Sequence, residues 1–238
     1  MIDMKKSIHE IISYYQEQNY QTQAQRTYDM LLEIIALDVL PEKKIYTEQE
    51  LTQILAIGRT PLRDALKLLE FDSIIQTLPR LGIRVCDVRV EDYYLQTEVR
   101  TALEIVVIQR ACQLASETQK ERLAQLNKDF EVAAASGSRL DLYRVDRNIH
   151  KIVDECSKNP YAVHALEPLR FFEQRVHYLL GRVYPEVGDA LNREHMEYIQ
   201  AIIDGESEAA CAHFKNMVTN TIKLIKLQED VHMNWSFV

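Results

Sequence analysis

The sparse use of glycine and proline is the feature that most limits the folds open to this chain. Only six glycines and six prolines occur in 238 residues, and most of them separate stretches in which apolar residues recur at helical spacing. The second half contains six such stretches, at about residues 91–116, 118–136, 139–158, 160–183, 187–205 and 206–230. No strand pattern interrupts them, so residues 89–238 are predicted to form an all-α helical bundle.

Residues 26–88 show a different pattern. Three short helical segments are followed by the sequence IIQTLPRLGIRV, in which Pro79 and Gly82 lie between β-favouring residues. This pattern predicts three helices and a small β-hairpin, so the whole chain is expected to be mainly α with two domains. Residues 1–25 precede both domains, and we expect them to form either an extra helix that packs on a partner subunit or a frayed tail.

The composition excludes several classes of protein. No apolar run approaches the roughly 18 residues that a membrane helix needs, and the first residues include Glu, Gln and His where a secretory signal would be apolar. The four cysteines, at 86, 112, 156 and 211, are too far apart in sequence for a zinc finger or a redox motif. We therefore expect a cytoplasmic protein with no membrane association. Its net charge of −8 disfavours indiscriminate binding to nucleic acid, although a local basic patch can still bind it.

The sequence GRTPLRDALKLL, residues 58–69, predicts an amphipathic helix with a cationic face. At helical spacing its leucines and Ala65 fall on one side, whereas Arg59, Arg63 and Lys67 fall on another. Pro61 suits the first turn of such a helix. Periodicity alone also fits an ordinary helix whose charged face is solvated.

A second helix is predicted directly before this one. The sequence TEQELTQILAI places apolar residues at helical spacing, and Thr47 and Glu50 have the spacing of a capping box. Two helices joined by a short turn at Gly58 form a helix-turn-helix, whose second helix can enter the major groove of DNA. There Arg59 and Arg63 would reach phosphates or the acceptor edge of guanine.

The hairpin that follows is predicted to act as a wing. It carries Arg80 and Arg84 on either side of Gly82, which places positive charge where a wing meets a neighbouring phosphate or the minor groove. With Lys67 on the preceding helix, these arginines extend the predicted DNA-binding surface beyond the start of that helix.

Residues 28–85 resemble the winged helix-turn-helix of the GntR family of bacterial transcription regulators. The family has a Leu-x-Glu-x-x-Leu-Ala helix, then Arg-Thr-Pro-x-Arg-Glu-Ala-Leu and a Pro-x-x-Gly wing; this chain has RTPLRDAL at 59–66 and PRLG at 79–82. The resemblance implies that Arg59, Thr60 and Arg63 contact DNA and that Gly82 shapes the tip of the wing. The implied target is a pseudo-palindromic operator in double-stranded DNA, bound by a homodimer. The chain departs from the family pattern at Tyr46, Gln49, Ala56, where glycine is usual, and Gly58.

Two short patterns in the second half point to a ligand site. In DRNIH, Asp146 and His150 lie one helical turn apart, which can present an oxygen and a nitrogen ligand to a single cation. His195 lies on the apolar stripe of a later helix. Alone, the first pattern is more often an ordinary surface pair, and the second is more often a buried histidine of the core.

Together these patterns resemble the FCD ligand-binding domain, which the FadR branch of the GntR family carries after its DNA-binding domain. The positions that match the family pattern are Asp146, His150, Asn159, Glu194 and His195. Six predicted helices rather than seven resemble the smaller, VanR-like form. The last histidine of the family falls on Met217, and His213, one turn earlier on the same helix, is the expected substitute ligand.

The resemblance implies a divalent metal, zinc or nickel, and a small organic acid as effector. Three arrangements are open: metal bound by Asp146, His150, His195 and His213; metal held weakly with Met217 near it; or no metal, with the histidines hydrogen-bonding the effector directly. Arg100, Arg144 and Arg175 are candidates to pair with the acid, although arginines on helices are usually solvated.

These patterns predict a DNA-binding transcription regulator, expected to be a repressor, whose operator binding a small molecule modulates. The alternative is a metal-dependent hydrolase that uses the same aspartate and histidines. The chain has no nucleophile elbow and no glycine-rich phosphate loop, so we predict that it is not an enzyme. A helical scaffold without DNA affinity would require the match at 58–85 to be accidental.

Overall fold

The computed structural model describes residues 4–40, 44–87, 89–183 and 185–230. The chain divides after Val88 into two compact units. The elements of the first unit are α1 (Met4–Glu17), α2 (Gln23–Ala36), β1 (Ile45–Tyr46), α3 (Glu48–Leu55), α4 (Arg59–Phe71), β2 (Ile75–Leu78) and β3 (Gly82–Val85). Those of the second unit are α5 (Val90–Leu114), α6 (Glu117–Ser136), α7 (Arg139–Ser157), α8 (Pro160–Val183), α9 (Pro185–Asp204) and α10 (Ser207–Asp230). The prediction of a mainly α chain with a small hairpin and a six-helix bundle is confirmed in the described residues.

The first helix packs within its own unit. Ile11, Ile12 and Tyr15 on α1 are buried, and α1 packs against α2 and α3. The hydroxyl of Tyr15 donates a hydrogen bond of 2.9 Å to Glu33, which is fully buried on α2. The expected extra helix is therefore present over Met4–Glu17, and its buried residues pack within its own chain; its docking on a partner subunit stays a prediction.

The wing contains a third strand that the sequence did not predict. The sheet has the order β1-β3-β2, with both pairs antiparallel. In β1, Ile45 lies opposite Arg84 and Tyr46 lies opposite Ile83. A strand of two residues is too short to show an alternating pattern, which explains why periodicity missed it.

Local sequence signals explain where several helices begin and end. Thr47 and Glu50 form the predicted capping box of α3, and Ser116 and Gln119 form another at the start of α6. Gly137 ends α6 in the left-handed conformation that glycine adopts without strain.

The second unit is organised around α5. This helix packs against α7, α8, α9 and α10, while α6 packs against α7 and α9. Its core is one cluster of buried side chains that includes Val107, Ile149, Phe130, Tyr198 and Phe214. Among the described residues, no helix has both the length and the apolar composition required to span a membrane.

Candidate functional site

The helix α4 has the two faces that its sequence predicted. Leu62, Ala65, Leu66 and Leu69 are buried. Arg59, Thr60, Arg63 and Lys67 are exposed. Gly58 precedes the helix with extended backbone, and Pro61 lies in its first turn. The helix thus anchors one face in the core and presents the predicted DNA-binding residues to solvent.

Two of the cations on this face are held by acids of the same surface. Arg63 donates from Nε to Glu48 of α3 at 2.7 Å, and Lys67 lies 3.3 Å from Asp64. Arg59 makes no ion pair with any described residue. Because these pairs are exposed, each contributes only about 0.2–1 kcal/mol to folding.

The wing explains why Gly82 is needed. At φ +135° it occupies backbone that other residues rarely adopt, and a Cβ added there would lie 2.4 Å from the carbonyl oxygen of Tyr46. Because β1 approaches so closely, position 82 has no room for a side chain and requires glycine. Arg80 lies exposed in the turn before it, with φ +67°, whereas Arg84 donates to Gln76 across the hairpin at 3.1 Å.

In the second unit, three of the predicted ligands converge. Asp146 and His150 lie on α7 and His195 lies on α9, and one ligand atom from each is within 4.8 Å of the others. Asp146 Oδ1 lies 3.0 Å from His195 Nε2 and 3.7 Å from His150 Nε2. The other carboxylate oxygen of Asp146 accepts a hydrogen bond of 2.7 Å from Gln174 on α8, which orients the carboxylate.

The protonation and packing of this cluster suit a cation. Burial lowers the pKa of His150, although Asp146 partly opposes this. Burial also opposes ionisation of Asp146, but the two histidines outweigh it and hold the pKa of the carboxyl below its usual range. The imidazole of His195 stacks on Phe130, with ring centroids 4.4 Å apart. Nε2 of His195 faces Asp146, whereas Nδ1 of His195 and Nδ1 of His150 make no hydrogen bond with a described residue. A neutral imidazole and an ionised carboxylate are the forms that bind divalent metals, so these three residues fit such an ion.

The predicted fourth ligand does not join this cluster. His213 on α10 lies 2.8 Å from Glu194 and 3.5 Å from Glu197 instead. The reason is helical geometry: Glu194 and His195 are adjacent on α9 and therefore point about 100° apart. A residue of α10 that faces Glu194 does not face the cluster of His195. In this structure the cluster therefore contains three of the four predicted ligands, and His213 lies with Glu194 and Glu197.

Two other family positions have identifiable contacts. Asn159 accepts a hydrogen bond of 3.3 Å from the backbone of Ala162 and so caps the first turn of α8. Met217 is partly buried against the core of the second unit.

The predicted effector arginines differ in their surroundings. Arg100 is buried and already paired with buried Glu173 on α8, with Nη2 3.1 Å from the carboxylate. Its charge is therefore neutralised inside the fold, which argues against the predicted role in binding an acid. Arg175 is buried on α8 and Arg144 is partly exposed on α7.

The sequence did not single out Arg170, which joins three helices beside the ligand cluster. From α8 it donates two hydrogen bonds to Glu104 on α5, at 2.6 and 2.8 Å, and also contacts Asp154 on α7 at 2.6 and 2.7 Å. Burial opposes ionisation of Glu104, but Arg170 outweighs it and the pKa of the carboxyl falls to about 2. The one sequence signal was the spacing of Asp146, His150 and Asp154, which places all three on one face of α7.

Comparison with known proteins finds a family match in each unit. Residues 23–85 match the family described as bacterial regulatory proteins, gntR family, and residues 96–220 match the FCD domain. The HTH-type transcriptional repressor RspR of Escherichia coli K12 is 24% identical over 184 residues, which cover 76% of this chain and 80% of the relative. The HTH-type transcriptional regulator YdhC of Bacillus subtilis is 22% identical over 189 residues, which cover 78% and 83% of the two chains.

Solved structures share the fold. The McbR/YncC protein of Escherichia coli superposes with a TM-score of 0.78 at 16% identity, over 88% of this chain and 100% of the other. A GntR transcriptional regulator from Rhodococcus sp. RHA1 gives a TM-score of 0.67 at 16% identity, over 85% and 97% of the two chains. The family matches and the relatives are those of transcription regulators and not of enzymes, so the hydrolase alternative is not supported.

Proposed function

Because the chain belongs to the GntR family of bacterial regulatory proteins and carries an FCD domain after its helix-turn-helix, we propose that it is a homodimeric, effector-responsive repressor. In this proposal the first unit binds a pseudo-palindromic operator. The second unit binds a small organic acid, which changes the affinity of the dimer for that operator.

The cationic face of α4 is the observation that carries the DNA-binding part. Arg59, Arg63 and Lys67 lie exposed opposite a buried apolar face, in a protein whose net charge is −8. Such a local concentration of cations suits a polyanion, while the acidic remainder limits indiscriminate binding. Arg80 at the tip of the wing adds a further cation for a neighbouring phosphate. A regulator of this kind acts in the cytoplasm, where bacterial DNA is found.

An exposed apolar stripe on α5 supports the homodimer. Leu95, Val99 and Val106 are 65%, 54% and 40% exposed, and Ala102 is exposed between them. These positions, which we call the α5 stripe, recur at the four- and three-residue spacing of a helix-packing seam. A second copy of α5 would cover the stripe, and a twofold pair of units suits a pseudo-palindromic operator.

Asp146, His150 and His195 would hold the divalent ion, zinc or nickel. When bound, such an ion supplies open coordination positions that a carboxylate can complete. The chain itself contributes the orientation of Asp146 through Gln174 and the apolar wall of Phe130. A small organic acid is the ligand class that suits this arrangement, with Arg144 or Arg175 as the residues to pair with its second polar group.

The repressor role rests on relatives alone. RspR is named a transcriptional repressor, and this chain is similar to it across both units. In this role, the effector would release the operator only if it binds the free protein and the DNA-bound protein with different affinities.

The DNA-binding part is tested by selection from a library of duplexes with randomised centres. We expect the protein to enrich an inverted repeat, and we expect Arg63→Ala to lose affinity for it while the helical content stays unchanged by circular dichroism. If the unaltered protein enriches no sequence, the regulator proposal fails.

The metal part is tested by elemental analysis of protein purified without metal-affinity chromatography. We expect stoichiometric zinc or nickel in the unaltered protein and its loss in His195→Ala. His213→Ala is the matched control and should keep the metal, because His213 contacts Glu194 instead. Unaltered protein without metal would contradict this part and favour direct recognition of the effector by the histidines.

A further inference from the structure

The contact between Arg63 and Glu48 is made through a single nitrogen of the guanidinium. Glu48 is the first residue of α3 and Arg63 lies in the second turn of α4, so their contact crosses the turn of the helix-turn-helix. Only Nε of Arg63 donates to Glu48, at 2.7 Å. By contrast, Arg89 donates two hydrogen bonds to Asp92, from Nε at 2.7 Å and from Nη2 at 2.8 Å.

This single contact orients the guanidinium and leaves its outer edge available. Within the described chain, neither Nη1 nor Nη2 of Arg63 has a hydrogen-bond partner. A guanidinium is planar, so holding Nε also sets the direction of the two Nη groups. Those groups then form a fork of the kind that pairs with O6 and N7 of guanine in the major groove.

The position of Glu48 is otherwise unfavourable for a DNA-binding surface. Its side chain is 42% exposed beside Arg63, and a carboxylate on this surface repels phosphates. Glu48 also gains from the positive end of α3, but Glu50 already supplies a carboxylate in the same turn, in the capping box.

We propose that Glu48 is a positioning residue for sequence readout: it holds Arg63 so that the two Nη groups read one guanine in each half-site. This inference rests on the proposed function, because it presupposes that α4 enters the major groove. It assigns Arg63 to a base and not to a phosphate, and it makes recognition of that base depend on an acidic residue that touches no DNA itself.

The proposal predicts an effect opposite in direction to that of simple electrostatics. If Glu48 were only a repelling charge, then Glu48→Ala would tighten binding to every duplex and leave the preferred sequence unchanged. If Glu48 positions Arg63, then Glu48→Ala loses the preference for the guanine, while affinity for unspecific DNA stays the same or rises.

The experiment uses the full-length protein, a randomised duplex library and poly(dI-dC) as the unspecific probe. The guanine in question is the base whose preference disappears in Arg63→Ala. Affinities for the preferred duplex, and for a duplex with that guanine replaced by adenine, are then measured by fluorescence anisotropy. We expect the unaltered protein to discriminate between them by about 5- to 150-fold, the range of one bidentate pair, and Glu48→Ala to discriminate by less than about a third of that factor.

Two variants make the result specific. Glu48→Gln keeps an oxygen acceptor for Nε and should retain most of the discrimination without the charge. Asp64→Ala removes an acid from the same surface, where it pairs with Lys67 and not with Arg63, and it should tighten binding without changing the preferred sequence. Since exposed pairs contribute little to folding, all three variants should fold, which circular dichroism checks.

Three outcomes decide the matter. Lost discrimination in Glu48→Ala, retained in Asp64→Ala, supports the proposal. Full discrimination in Glu48→Ala overturns it, as does an Arg63→Ala variant that weakens all duplexes equally and therefore reports a phosphate contact. Failure of the unaltered protein to enrich any sequence would instead overturn the proposed function.

Discussion

At the scale of single residues, Ala56 carries a backbone conformation that its side chain disfavours. It ends α3 with φ 52° and ψ 41°, in the left-handed region. The Cβ of alanine crowds the backbone in this conformation, whereas glycine has no Cβ. The sequence already marked this position, since glycine is usual in the family pattern, and the structure supplies the physical reason.

We predict that Ala56→Gly stabilises the first unit by up to about 1 kcal/mol, because the relief of strain exceeds the added freedom of the unfolded chain. Urea unfolding followed by circular dichroism measures this. Ala24→Gly is the control, since Ala24 lies in the first turn of α2, where glycine should destabilise, by less than the roughly 1 kcal/mol of a helix interior. Destabilisation by Ala56→Gly would contradict the strain argument.

At the scale of elements, α5 and α8 are joined by two buried ion pairs. The arginine lies on α5 in one pair and on α8 in the other. Arg100 of α5 meets Glu173 of α8, and Glu104 of α5 meets Arg170 of α8. The two pairs fix the register of the antiparallel helices, since a shift by one turn would place like charges together. Removing one partner of such a pair usually costs about 3–5 kcal/mol, because the other charge is left buried and unpaired.

These pairs predict a loss of stability in acid. Burial opposes ionisation of Glu173, but Arg100, His177 and Tyr93 together outweigh it and the pKa falls from 4.5 to about 2. The unfolded chain therefore binds the proton more readily. The resulting stability, roughly 3 kcal/mol, is fully present above about pH 5 and decreases as the pH falls towards 2.

Urea unfolding between pH 7 and pH 3 measures this dependence. Glu173→Gln should be less stable at pH 7 and should lose less stability between pH 5 and pH 3 than the unaltered protein. An equally steep dependence in the variant would show that other carboxylates cause the acid sensitivity.

The sequence predicted individual helices and the hairpin well, but it did not predict the contacts between helices. The helices of the second unit and the wing hairpin follow from local periodicity, and the spacing of Asp146 and His150 predicts that they lie on one face of α7, as they do. Contacts such as Glu104 with Arg170 join residues far apart in sequence, so no local pattern reports them. The position of His213 beside Glu194 could not be predicted either, because a family spacing gives a turn of the helix but not the neighbour that the turn faces.

At the scale of the whole molecule, the α5 stripe carries the proposed dimer. We predict that Val99→Asp converts the protein to a monomer, because a charge at the centre of a packed helix pair would be buried without a partner. Light scattering coupled to size-exclusion chromatography measures the mass. Val132 is 70% exposed on α6, so Val132→Asp should leave the assembly unchanged. A dimeric Val99→Asp protein would place the interface elsewhere.

The short strand β1 has a consequence for how long the protein stays on DNA. Tyr46 of β1 pairs with the wing and is followed directly by Thr47, which caps α3. The wing and the helix-turn-helix are therefore directly connected at Tyr46 and Thr47. A contact made by either one holds the other at a high effective concentration near its own groove. If the wing and α4 both contact DNA as proposed, release requires both contacts to open at once, so we expect the lifetime of the complex to depend on the fit of Gly82 against β1 as much as on any residue that touches DNA.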